Sequence, residues 1–154
     1  MRVFVLKAKR LLAPIALITC FAVLIALGAI FPKQVSAQSA FSQKSLTGVE
    51  TNDQRVKLLE SFGLEVENAP REIVQVVIPR KFDQVYDAYN DLQKPLGLDL
   101  SPYRGKTVTR FTYAVTNSDE DGTVYANLLV YDSKLVGGDV SSADPNGFAR
   151  SLTG

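Results

Sequence analysis

The chain has no histidine and no tryptophan, and only one cysteine and one methionine among 154 residues. The one thiol, Cys20, lies inside an apolar run. The rest of the chain therefore lacks the usual general base at neutral pH, the thiolate nucleophile and the standard zinc and iron ligands. Ser-His-Asp and Cys-His hydrolysis are excluded, and no Gly-x-Ser-x-Gly, Walker or dinucleotide-binding glycine motif stands in their place. No cofactor is expected. A lone cysteine also excludes an internal disulfide, so the folded part must be held by packing. Thr19 before Cys20 and Phe21, Ala22 and Val23 after it do not make a lipobox.

Clustered positive charge is missing too, except at one end. Arg2, Lys7, Lys9, Arg10 and Lys33 lie at the N-terminal end without an acid among them, and beyond Lys33 only 12 bases face 16 acids. Nucleic-acid affinity rests on Lys and Arg neutralising phosphates. No nucleic-acid partner is therefore expected.

What is present begins with a charge-free apolar run, residues 11–31. At about 1.5 Å rise per residue it spans the roughly 30 Å hydrocarbon core of a bilayer. Pro14 falls in its first turn, where a missing N–H costs little. Four bases precede the run and only Lys33 follows it closely. This predicts a single-pass cell-membrane protein with residues 1–10 as a cytoplasmic basic tip and the C-terminal part outside. Val35, Ser36 and Ala37 also suit a signal peptidase, which would release a secreted protein beginning at Gln38. Retained anchor and cleaved signal both place the rest outside the cytoplasm.

Residues 32–47, rich in Ser, Gln and Lys, read as a flexible linker. Residues 48–154 then form one extracytoplasmic domain of ordinary size. Thr51 and Gln54 have the spacing of a capping box, which starts a first helix with Val56, Leu59 and Phe62 along one face beside Leu58. Gly63 closes it, with Leu64 packing back on the last turn. Residues 72–78, between Pro70 and Pro79, read as a strand covered on both faces. A second helix is expected over 81–94, with Phe82, Val85, Tyr86, Tyr89 and Leu92 at spacings of three and four and Asp83, Asp87 and Asp91 as solvated charge.

Strand patterns follow at 107–116, 123–131 and 135–141, joined by short hairpin links at Asp121-Gly122 and Asp132-Ser133-Lys134. Phe148 to Leu152 is left as a terminal helical turn. The order α-β-α-β-β-β predicts an α+β fold: two early helices packed on one face of a mainly antiparallel sheet of about four strands. The last hairpin strand is expected to leave an exposed edge.

The segments VVIPRKFDQVYDAYNDLQK, LDLSPYRGK and ANLLVYDSKLVGGDV resemble an uncharacterised bacterial family catalogued as a domain of unknown function, number 4830 in that series. Its members are small proteins with an N-terminal membrane segment. Tyr103, Arg104, Gly105 and Lys106, with Asn127 and Gly137-Gly138-Asp139, are the most family-like part. The resemblance implies no activity and no functional residue.

Two constellations carry candidate chemistry. Tyr103, Arg104, Lys106 and Arg110 lie near one turn and strand start, where three bases could grip a carboxylate or phosphate. The alternative is that Tyr103 packs into the core and the bases are ordinary surface charge. Asn117, Asp119, Asp121 and Gly122 match the opening of a calcium loop, but its twelfth position is Leu128 in place of the bidentate Glu. A polar hairpin turn explains them as well.

The leading expectation is a non-catalytic, membrane-tethered module that binds an envelope protein or peptide. A small carboxylate-dependent envelope glycan hydrolase, with two acids about 5 to 9.5 Å apart, and a structural subunit of a membrane complex are the alternatives.

Overall fold

A computed structural model describes residues 46–154 with the exception of Pro145. The apolar run at 11–31 and the connector up to residue 45 lie outside the described residues, and no helix among those described is long and apolar enough to cross a membrane. Leu46 and Thr47, the last residues of the expected linker, are part of the fold. Leu46 is buried in the core, and Thr47 makes an isolated antiparallel bridge to Lys134.

The first helix, α1 (Asn52–Ser61), begins as its capping residues dictate. The Thr51 hydroxyl accepts from the Gln54 N–H at 3.3 Å, and the Gln54 side chain accepts from the Thr51 N–H at 2.9 Å. It ends at Gly63, whose φ of +82° lets the Gly63 N–H donate to Glu60 and the Leu64 N–H donate to Leu59. The buried face differs from the expected one. Leu58 and Leu59 are buried together with Arg55, whereas Val56 and Phe62 are only partly covered.

The second helix, α2 (Gln84–Asp91), is shorter than the apolar spacing suggests. Asp83 accounts for its start, because its carboxylate accepts from the Tyr86 N–H at 2.8 Å. Asp83 is thus a cap as well as a surface charge. Pro95 forces a separate 3₁₀ turn, Lys94–Leu96, closed by Gly97 at φ +70°, and a second such turn, Ser101–Tyr103, leads into the sheet.

Five strands run antiparallel in chain order: β1 (Glu72–Val77), β2 (Thr107–Ala114), β3 (Val124–Tyr131), β4 (Lys134–Ser142) and β5 (Ala149–Arg150). Asp132 and Ser133, at φ +50° and +60°, make the two-residue turn between β3 and β4. The α+β class with early helices and late hairpins is therefore what the chain adopts. The expected terminal helical turn is corrected: Ala149 and Arg150 pair with Ser141 and Val140, because the outer side of β4 offers backbone groups that need partners.

The sheet register separates two faces. Glu72, Thr112, Asn127 and Asp139 stand in one transverse row, and Ile73, Phe111, Leu128 and Gly138 stand in the next, pointing the opposite way. Tyr89 of α2 packs with Val108 and Leu129 on the first face. Leu58 and Leu59 of α1 pack with Tyr113, Ala126 and Leu128 on the second. The two helices therefore cover opposite faces, correcting the expectation that they share one. The physical reason is in β3 and β4, which are buried at nearly every position and so need cover on both sides.

Candidate functional site

The basic cluster does not converge. Tyr103 packs edge-on against Tyr131, with ring centroids 5.6 Å apart, and Lys106 reaches over the same Tyr131 ring at 6.0 Å. The Arg104 guanidinium sits 4.2 Å above the Phe82 ring. Arg110 turns elsewhere, to Glu72 at 2.6 Å. Tyr103 and Lys106 are thus brought together by Tyr131, while Arg104 and Arg110 are each engaged separately. The Glu72 carboxylate takes the place that an anion would need at Arg110, while the Phe82 ring covers one face of the Arg104 guanidinium.

The polar loop before β3 is likewise committed to the fold. The Asn117 side chain accepts from the Glu65 N–H at 3.0 Å and donates to the Gly63 carbonyl at 2.9 Å, tying the loop to the end of α1. Asp119 and Asp121 remain exposed. Among the described residues no group of three or more acidic side chains is arranged to hold a metal ion.

The family-like residues Asn127 and Asp139 meet inside the molecule. Asp139 is 1% exposed. It accepts from the Tyr89 hydroxyl at 2.9 Å and from the Asn127 amide at 2.8 Å. The same Asn127 amide also donates to Ser141 at 3.1 Å, and its oxygen accepts from the Thr112 hydroxyl at 2.8 Å. Burial pushes the Asp139 carboxyl above its ordinary value, against the opposing pull of the Asn127 and Tyr89 hydrogen bonds. Burial first, and the neighbouring Asp139 charge second, push the Tyr89 hydroxyl well up.

The two glycines before Asp139 stand where there is no room for a side chain. A Cβ at Gly138 would lie 2.6 Å from the Asn127 carbonyl oxygen and 2.7 Å from a Leu152 methyl. At Gly137 it would lie 3.0 Å from Leu100. The Gly138 N–H donates to the buried Gln93 side chain at 2.7 Å. Gln93 and β5 therefore occupy the outer side of β4, which corrects the expectation of an open edge on the last hairpin strand.

Arg55 is a second buried polar anchor that its residue type conceals. Its guanidinium donates to the Val49 and Glu50 carbonyls and to the Tyr113 hydroxyl, and lies 3.8 Å above the Phe111 ring. The signal available in the sequence is its spacing of three and four from Leu58 and Leu59.

The open edge is on β1. It pairs with β2 alone, and no strand pairs with its other side among the described residues. Ile73 is 56% and Val77 63% exposed. This corrects the reading of residues 72–78 as a strand covered on both faces: α1 lies over the middle of the sheet and stops short of its first strand. An edge that carries unpaired backbone groups and exposed β-branched side chains is chemically equipped to accept another strand. By contrast, the depression along the outer side of α1, lined by Asn52, Asp53, Val56, Lys57, Glu60 and Asn68, is shallow.

A protein-family profile described as a domain of unknown function (DUF4830) matches residues 58–140, more than half of the chain. The match runs from α1 to the Asp139 region of β4 and contains both the buried polar row and the β1 edge. No curated protein and no solved structure matches the chain.

Proposed function

We propose that this chain, which belongs to the DUF4830 family of domains of unknown function, is a non-catalytic binding module that takes up an extended protein segment by strand addition at β1. The observation that carries this reading is the open β1 edge, with Ile73 and Val77 more than half exposed on a sheet otherwise buried at its centre. Backbone hydrogen bonds along the edge would supply affinity, and the side chains at alternate positions would supply selectivity.

In this reading the N-terminal run at 11–31 carries the module out of the cytoplasm, and the partner is an envelope protein or peptide. Asp139 has no catalytic part in it, because Tyr89, Asn127 and the surrounding sheet enclose the carboxylate and leave no opening for a substrate.

The test is a photo-crosslinking residue placed at Gln75, at the middle of β1, in the full chain expressed in cells. A crosslinked polypeptide is expected, together with slowed amide exchange along β1 when that polypeptide is present. The product is expected to disappear in the Ile73→Lys, Val77→Lys double variant. Absence of any product, or a product indifferent to the two lysines, would sink the proposal.

A further inference from the structure

The β1 edge lacks the features that ordinarily discourage pairing. Natural edge strands are blunted by lysine, proline or inward-pointing charge, yet between Glu72 and Ile78 the edge reads Ile-Val-Gln-Val-Val. Pro70 and Pro79 limit its length without interrupting it. The pairing of Ile78 fixes which groups face outward. Its N–H donates to Lys106 at 2.9 Å, and its carbonyl accepts from Gly105 at 2.8 Å, so Ile78 faces β2. By the alternation of an antiparallel ladder, Val76, Val74 and Glu72 do the same, and Ile73, Gln75 and Val77 turn their backbone groups to the open side. The two strongly exposed apolar side chains therefore belong to the residues whose N–H and C=O groups also face outward.

Resting on the binding reading above, we infer that the segment docked at this edge is β1 of a second copy of the same chain, antiparallel about a two-fold axis at Gln75. In that register Gln75 lies opposite Gln75 of the second copy. Ile73 lies opposite Val77 of the second copy, and Val77 opposite its Ile73. Directly opposed residues on one face are contact neighbours, so the four exposed apolar side chains cover one another on the α1 side of the joined sheet. The outward backbone groups of all three residues find partners at the same time.

Symmetry selects the antiparallel direction. Both copies present the same edge, so a parallel pair would be related by rotation about the strand axis and would put the two copies' Ile73 and Val77 on opposite faces, whereas the antiparallel pair keeps all four on one face. The two-fold arrangement is self-complementary and closed. It uses the long open edge of each copy and leaves outside only β5, which is two residues long.

Cysteine crosslinking of the full chain in its native membrane or medium tests the register. In a Cys20→Ser background, Gln75→Cys is expected to oxidise to a disulfide-linked dimer, because Cα atoms across such a pair lie about 5.5 Å apart, within disulfide range. Ile73→Cys alone and Val77→Cys alone place their thiols four residues out of register, roughly 13 Å apart, and are expected to give at least tenfold less dimer. Coexpressed, those two variants are expected to crosslink to each other. Equal dimer from all three single variants, or none from Gln75→Cys, would overturn the register.

Photo-crosslinking at Gln75 separates this inference from the reading beneath it. A product with the mass of two copies supports self-pairing. A product with a different protein overturns self-pairing and leaves strand addition standing. No product overturns both.

Discussion

Asp139 is held in an environment that favours its neutral form. Its carboxyl is raised above the usual 3.8 by burial, and the Asn127 and Tyr89 hydrogen bonds only partly offset that. The folded state consequently binds this proton more readily than the unfolded chain does. The stability this contributes is fully present below the unfolded value and is lost as pH rises through the folded one. From this group, stability is expected to fall as pH rises above the ordinary carboxylate range. Denaturant titrations across that range check it: Asp139→Asn, which cannot ionise, is expected to flatten the trend. An unchanged pH slope in that variant would show that another group sets it. The residues of this row were visible in the sequence as Asn127 and Gly137-Gly138-Asp139. Their common destination was not, because Tyr89 lies 50 positions from Asp139 and its place on a helix suggests only apolar packing.

At the scale of elements, chain ends are governed by local chemistry and element faces by what covers them. The Thr51–Gln54 box and Gly63 define α1 from its own residues, so both ends were legible. The stop of α2 was less so. Its apolar spacing continues through Leu92, but the Lys94–Leu96 turn around Pro95 replaces its last helical turn. Gln93 then takes on a role no periodicity could indicate, accepting the Gly138 N–H while donating to the Tyr89 carbonyl. Gln93→Ala would leave a buried β4 donor without a partner and is expected to destabilise the fold by about 2 kcal/mol. Chemical denaturation checks this, and a loss below about 0.5 kcal/mol, the range of ordinary surface changes, would mean that water or a backbone shift satisfies Gly138.

For the whole molecule, the sheet is a shared wall with a core on each side, α1 closing one and α2 the other. Arg55 ties the incoming chain at Val49 and Glu50 to Tyr113, so the point at which the N-terminal connector enters is fixed against the sheet. The proposed placement outside the cytoplasm has a direct check. A membrane-impermeant amine reagent applied to intact cells is expected to label the exposed Lys57 and Lys134 of the folded domain, whether cell-bound or released, and to reach Lys7 and Lys9 only after lysis. Labelling of Lys57 and Lys134 only after lysis would contradict export. N-terminal sequencing divides the two forms, Gln38 marking cleavage and a retained start marking the anchor.

The lack of histidine and of any thiol beyond Cys20, the α+β order, the ends of α1 and the hairpin turn at Asp132-Ser133 could all be read along the chain. Each of these follows from residue type or from contacts a few positions apart. Long-range packing set the rest: the helices take opposite faces, Arg104 and Arg110 find an aromatic ring and a carboxylate, and β1 rather than β4 is the open edge. Alternation along a strand states which side chains share a face. It does not state which neighbour, if any, arrives to cover that face, and for Ile73 and Val77 none of the described elements does.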